Sequence, residues 1–244
     1  MIAGGRERRG RNADRAAAFA SADLTAELAA DRARALAAMP VSRETTACLD
    51  RFVAILLAWQ SRINLIAPST VPVLWTRHVA DSLQLVPLAP AARIWADLGS
   101  GGGFPGLVIA CALAGVPGAQ VHLVESNGKK AAFLREAARA ADAVATIHAT
   151  RIEDFIANAS APIQAVTARA LAPLNELLGL AYPLLKTGAV GIFPKGQDVD
   201  AELTEAARYW KIDASQVKSR TDTKARIVVV HGLEQRAPTR GKGS

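Results

Sequence analysis

Asp97, Gly99, Gly101 and Gly103 fall in ADLGSGGGFPG, an acid followed by alternating glycines at the end of a short apolar run. Glycine accepts positive φ and carries no Cβ, so a ligand can lie against such a backbone. Two frames fit the stretch. Gly101, Gly103 and Gly106 satisfy G-x-G-x-x-G, the dinucleotide signature, which is weak when it stands alone. Asp97, Gly99, Gly101 and Gly103 satisfy D-x-G-x-G-x-G instead. A carboxylate at a strand tip attracts a cationic ligand and repels a pyrophosphate. Pro105, at the expected first helical position, removes an N–H that phosphate oxygens would use. Both points favour the second frame. Glu125 comes 22 residues after Gly103, ending the apolar run VHLVE, where an acid accepts hydrogen bonds from ribose hydroxyls. It indicates a nucleoside without choosing between the frames.

The second frame resembles the first motif of S-adenosylmethionine-dependent methyltransferases of the Rossmann-like class. Arg151, Ile152, Glu153 and Asp154 follow a third apolar run and are placed to cover an adenine base. As plain helix N-terminal acids, Glu153 and Asp154 would serve only the helix dipole. The reacting end belongs beyond VTARALAPL, where Arg169 stands, with Lys195 later in FPKGQ. The chain has no Asn/Asp-Pro-Pro-Tyr/Phe platform for exocyclic amines and no Cys near a strand end to attack a pyrimidine, so amine and carbon methylation lose ground. Two cations beside a methyl donor are poor general bases, yet they can hold a phosphate or hydrogen-bond O6 of a guanine. Guanine N7 presents an in-plane lone pair and needs no base, so alignment is the main requirement. The plainer roles are a cap or ion pair for Arg169 and an exposed loop position for Lys195.

These residues need elements to position them. After Pro90, the apolar runs RIWADLG, QVHLVES, VATIHA, QAVTARA and AVGIFPKG each precede a helical pattern, at about 105–114, 129–141, from 151, 174–185 and 198–210. That alternation marks parallel strands joined by right-handed crossovers. KIDASQVKSR and KARIVVVHGL lie too close together for a crossover and predict an antiparallel hairpin at the sheet edge. The fold class is therefore α/β with a mostly parallel sheet. Upstream, apolar residues at three- and four-residue spacing predict amphipathic helices over 23–39 and 44–59, with Ser42 as N-cap of the second. A third helix is expected from Pro72 to Pro87. The expected divisions are a disordered basic arm over 1–20, a helical extension over 21–90, a cofactor-binding domain over 91–235 and a flexible basic tail over 236–244.

Six stretches together resemble the bacterial 16S rRNA guanine-N7 methyltransferases, also called glucose-inhibited division protein B. They are W-x-x-x-x-N-L at Trp59–Leu65, R-H-x-x-D-S at Arg77–Ser82, D-L-G-S-G-G-G-F-P-G at Asp97–Gly106, R-x-E-D-F at Arg151–Phe155, A-R-A-x-A-x-L at Ala168–Leu174 and K-G at Lys195–Gly196. The likeness runs roughly from Trp59 to Val230. It implies a seven-stranded Rossmann-like class I methyltransferase sheet with an N-terminal helical extension. It also implies S-adenosyl-L-methionine as cofactor and a guanine of the decoding-centre 530 loop as substrate, met as 16S rRNA or as a small ribosomal subunit precursor. On matching positions, Gly99 and Phe104 line the cofactor pocket, Ile152 and Glu153 contact adenine, and Arg169 lies near cofactor and target base. Asn64, Arg77, His78, Asp81 and Ser82 close the site or touch RNA. The chain departs from the family at Ile66, where Thr is frequent, and at Ile163-Gln164, where Phe-Asp is frequent.

The 244 residues are 50% hydrophobic, enough for a sizeable core. Cys48 and Cys111, far apart in helical patterns, predict neither a disulfide framework nor a zinc site, and no metal is expected. The start MIAGGRERRG lacks an apolar segment and no run approaches 18 apolar residues, so a secretory signal and a membrane span are disfavoured and a cytoplasmic monomer is expected. The Arg- and Ala-rich start leaves an organelle transit peptide open, against which Glu7 and Asp14 count. Residues 1–15 and 211–244 together carry a charge of +8, and residues 16–210 carry −1. Basic ends on a neutral body suit a phosphate backbone, or serve only solubility. The rival readings are a non-catalytic RNA-binding assembly factor and a nicotinamide-dependent oxidoreductase.

Overall fold

The computed structural model describes residues 23–236. The expected basic arm lies outside them, as does the expected tail apart from Arg236. That residue is held by the sheet: its N–H donates to Tyr209 O at 2.8 Å and its Nε to Trp210 O at 3.1 Å.

Seven strands form one sheet: β1 Ile94–Leu98, β2 Gln120–Val124, β3 Ala145–His148, β4 Ala165–Thr167, β5 Val190–Lys195, β6 Trp210–Lys218 and β7 Arg226–Gln235. Their order is β3-β2-β1-β4-β5-β7-β6. The first five run parallel, and β7 pairs antiparallel with both β5 and β6, as the short hairpin link requires. The order in which strands are added to the sheet reverses at β1, with β2 on one side and β4 on the other. A crevice therefore opens beyond the carboxyl ends of β1 and β4. Alternate strand residues feed two buried clusters, Trp95, Val121 and Leu123 on one face, and Ala96, Leu98 and Val124 on the other. Burial on both faces is why these strands are near-continuous apolar runs.

The first cluster joins the sheet to α2 (Arg43–Gln60), α4 (Gly106–Ala112) and α5 (Gly128–Ala141). The second lies under α6 (Ile152–Ala157), α7 (Leu174–Leu185) and α8 (Val199–Ala206). The described chain begins in α1, helical over 23–38. Ser42 caps α2, its Oγ accepting the Thr45 N–H at 3.1 Å.

The structure departs from three expectations. The helix expected over Pro72–Pro87 is instead a 3₁₀ segment at Pro68–Val73, a π-helical turn at Trp75–Ala80, a short α3 at Asp81–Leu83 and a 3₁₀ turn at Val86–Leu88. Asp31 of α1 causes part of this. Wholly buried, its Oδ2 accepts the N–H groups of Trp75 and Thr76 at 2.8 and 3.0 Å, so the start of the turn is capped from another helix. The helix expected to reach Trp210 stops at Ala206, because Trp210 opens β6 and its Nε1 donates to Asn175 at 2.9 Å. Finally, Cys48 and Cys111 are joined in a disulfide, with Cα atoms 5.6 Å apart. Their 63-residue separation concealed this, but α2 packs on α4 and brings both sulfurs into the core.

Candidate functional site

The glycine turn between β1 and α4 is pinned at several points. Val124 O accepts the N–H of both Gly99 and Ser100, at 2.9 and 3.0 Å. Glu125 clamps it from the next strand: Oε2 accepts the Gly101 N–H at 2.9 Å and Oε1 the Asn127 N–H at 2.7 Å. Gly99 and Gly101 have φ of +72° and +52°, the left-handed region that favours glycine.

The glycines differ in what they make room for. A Cβ on Gly102 would stand 2.8 Å from Leu65 O, one on Gly103 would stand 2.9 Å from Leu107 Cδ1, and one on Gly106 would stand 2.5 Å from Asp97 Oδ2. Those three admit the protein's own atoms. On Gly101 a Cβ would meet only Gly99 O, at 3.8 Å, so this is where the turn leaves space for a ligand.

Asp97 is not an open carboxylate at the strand tip. It is wholly buried, with Oδ2 accepting the Gly106 N–H at 3.1 Å and Oδ1 without a partner. Burial pushes its carboxyl up to about 6, against the Gly106 N–H bond that pulls it down. It braces the start of α4. The opening N–H groups there are committed, Gly106 to Asp97 and Leu107 to Gly103 O at 2.9 Å, and Pro105 has none. A pyrophosphate would find few donors at this helix start, which weakens the dinucleotide frame.

Phe104 joins the turn to the rest of the site. It is buried, its ring centroid 5.2 Å from that of Phe52 and 5.0 Å from the stacked ring of His78, with the Arg169 guanidinium 5.3 Å above it. It therefore packs as a hub and is not an open pocket wall. His78 is buried as well, and burial together with Arg169 and Arg77 holds its pKa down to about 3. The Thr70 hydroxyl donates to Ala67 O at 2.8 Å, so at 2.9 Å it accepts the His78 Nε2–H. Nδ1 is then the lone-pair nitrogen, and it has no partner.

Arg169, just beyond β4, sits 3.6 Å from Asp81 Oδ2 and 3.5 Å from Arg77 O. Burial lowers its pKa, opposed by Asp81 and Asp97. Lys195 is not an exposed loop lysine: Nζ pairs with Glu202 Oε2 at 2.6 Å and donates to Ala172 O at 3.2 Å. Arg169, Lys195, Arg77, His78 and Asp81 all line one cavity of about 400 Å³ beyond the ends of β4 and β5. Ser82 does not face that cavity as a donor, since its hydroxyl is buried on His78 O at 2.6 Å. Asn64 is exposed 3.5 Å from Gln60, whose Oε1 accepts the Leu65 and Ile66 N–H groups and holds the loop over Gly102. Ile152 is half-buried and Glu153 exposed at the start of α6.

Several contributors carry no local signal. Glu202, on α8, holds Lys195 and also accepts the Leu174 N–H at 2.6 Å. Thr221 and Asp222, in the link between β6 and β7, reach Asp81 and Arg77. Among the described residues, no grouping of three or more His, Cys, Asp or Glu could hold a metal, and no helix is long and apolar enough to cross a membrane.

A family model described as rRNA small subunit methyltransferase G matches residues 45–229. The chain is 58% identical over 217 residues to the ribosomal RNA small subunit methyltransferase G of a Bradyrhizobium species, covering 89% of this chain and 98% of that one. It is 58% identical over 208 residues to the protein of the same name from Nitrobacter hamburgensis, covering 85% and 80%. Among solved structures, an O-methyltransferase from Bacillus cereus in complex with SAH superposes with a TM-score of 0.55 at 15% identity, over 85% of this chain and 99% of that one. At that identity the likeness is one of fold, the Rossmann-like class I methyltransferase sheet with its antiparallel edge hairpin.

Proposed function

We propose, because this chain belongs to the rRNA small subunit methyltransferase G family, that it methylates N7 of a guanine in the 530-loop region of 16S rRNA without a general base. One observation carries the chemistry. Each carboxylate lining the 400 Å³ cavity is committed to a cation: Asp81 to Arg169, Glu202 to Lys195 and Asp222 to Arg77. His78 is held neutral with one ring nitrogen bonded. Such a wall offers donors to a base oxygen or a phosphate and no free carboxylate to take a proton. Guanine N7 has no proton to give up, so this wall suits it and does not suit an amine or hydroxyl.

The residues present fit S-adenosylmethionine as cofactor. Gly101 leaves an open side, and each Glu125 oxygen, after accepting one N–H, keeps a lone pair for a ribose hydroxyl. When bound, the cofactor supplies a methyl group on a positively charged sulfur. Gly101 leaves the open side of its seat while Gly99 and Gly103, both at positive φ, set the path of the turn around it, Glu125 holds the ribose, and Ile152 and Glu153 flank the adenine. Asp97 fixes the seat from beneath. Arg169 orients the target base with N–H groups that its loose contact with Asp81 leaves available, while Arg77, half exposed at the mouth, and Asn64 meet the RNA. The substrate is 16S rRNA or a precursor of the small subunit, met by a cytoplasmic monomer whose basic ends strengthen binding in a salt-dependent way. Mass spectrometry of 16S rRNA from cells with and without the gene tests this. Loss of one 7-methylguanosine is expected, and an unchanged inventory would refute the assignment. S-adenosylhomocysteine should raise the melting temperature, whereas stabilisation by NAD(P) alone would favour an oxidoreductase.

A further inference from the structure

We infer that Thr221 and Gln84 are positioning residues for methyl transfer, orienting Arg169 through Asp81. This rests on the reading that Arg169 meets the target base. Asp81 is buried and its two oxygens are used differently. Oδ1 accepts the Thr221 hydroxyl at 2.6 Å and the Gln84 amide at 2.8 Å, whereas Oδ2 faces Arg169 at 3.6 Å. One oxygen is anchored by two short bonds, and the other is left to the guanidinium.

The anchor is built from distant parts of the chain. Gln84 reaches across 136 residues: its Oε1 accepts the Arg220 N–H at 2.8 Å, which draws the β6–β7 link onto the turn that carries Asp81. Ser219 Oγ accepts the N–H groups of Thr221 and Asp222 at 3.2 and 3.3 Å and lies 3.0 Å from Thr221 Oγ1. A hydroxyl has one proton. With the Thr221 proton given to Asp81, Ser219 donates to Thr221, and the link reaches the carboxylate through that one short bond.

Arg169 itself is aimed and lightly held. The next residue, Ala170, has φ +53°, a left-handed conformation disfavoured for a non-glycine residue, and it sets the direction in which the strand end departs. Contacts at 3.5 and 3.6 Å place the guanidinium without using up its five N–H groups. A rigid carboxylate with a loosely paired cation leaves Arg169 free to turn those groups to a ligand from a defined position.

Steady-state methylation of small-subunit RNA by the purified full chain tests the inference, with Thr221→Val, Thr221→Ser, Asp81→Asn and Arg169→Ala compared. Losing one hydrogen bond to the carboxylate should lower kcat roughly tenfold in Thr221→Val while the KM for S-adenosylmethionine stays within about twofold. Thr221→Ser, which restores the hydroxyl, should recover most of that loss. A merely structural role predicts equal kcat for the two threonine variants, or a loss that follows melting temperature, and either result overturns the inference. Should Thr221→Val not fold, Gln84→Met, which removes the other donor to Asp81 Oδ1, carries the same test, with a kcat loss and an unchanged cofactor KM expected and full kcat overturning the inference; Asp81→Asn, which removes the carboxylate itself, should lose at least as much kcat. If Arg169→Ala methylates normally, the underlying reading has failed; if it is inactive while Thr221→Val keeps full kcat, only the positioning role has.

Discussion

Replacing Asp97 with Asn should change how stability depends on pH. Asp97 is wholly buried on the start of α4, and burial raises its carboxyl from the ordinary 3.8 to about 6. In the unfolded chain the proton leaves near the lower value; in the native chain it stays until the higher one. Between the two the native state binds more protons, so stability falls as pH rises through that window, by about 3 kcal/mol in all. The contribution is complete below about pH 4 and gone above about pH 6. Asp97→Asn keeps an acceptor for the Gly106 N–H and has no proton to lose, so it should lack this component. It adds a constant cost, about 1–3 kcal/mol, because an amide N–H would occupy the unpartnered Oδ1 position. That constant offsets the variant at every pH without altering the slope. Urea unfolding of both proteins from about pH 4 to pH 8 measures the difference. Variant stability minus wild-type stability should rise by about 3 kcal/mol across the range, and a flat difference would refute the burial argument.

Other outcomes follow from the same geometry. The His78 ring, held neutral by burial and by Arg169 and Arg77, should show no NMR titration between about pH 5 and pH 8; a midpoint near 6.5 would place it in solvent. Gly102→Ala should cost about 1–3 kcal/mol, since the new Cβ meets Leu65 O at 2.8 Å, while Gly115→Ala, with nothing within 4 Å, should change stability by less than about 0.5 kcal/mol. Equal thermal shifts for the two would contradict the packing. Lys195→Met and Glu202→Gln should each destabilise, and the double variant should cost less than their sum by about 1–3 kcal/mol, because each single change strands a partner of the 2.6 Å pair. Additivity in a double-mutant cycle would show the pair to be uncoupled.

The strands, the edge hairpin and the helices that cross between them were legible in the sequence because the apolar period of each element and the length of each link are set by near neighbours. Trp95 and Ala96 alternate between two cores, and Ser42 caps a helix that starts beside it. Arg169, Lys195, Arg77 and Asp81 were legible as residue types at strand ends and in the R-H-x-x-D-S stretch, and the structure gathers them around one cavity. Their partners were not legible. Glu202 lies in a helix with ordinary helical acids, and Thr221 in a link that looked like a turn and nothing more.

The sequence by itself determined the order of elements and the path of the glycine turn, since backbone freedom and apolar periodicity act over a few residues. Only tertiary structure decided which polar atoms meet. It turned Asp97 inward onto Gly106, buried the Ser82 hydroxyl on a helix carbonyl, joined Cys48 to Cys111 and tied Asp81 to a loop 140 residues away. A buried polar group is costly until it finds a partner, and packing alone sets which partner comes within reach.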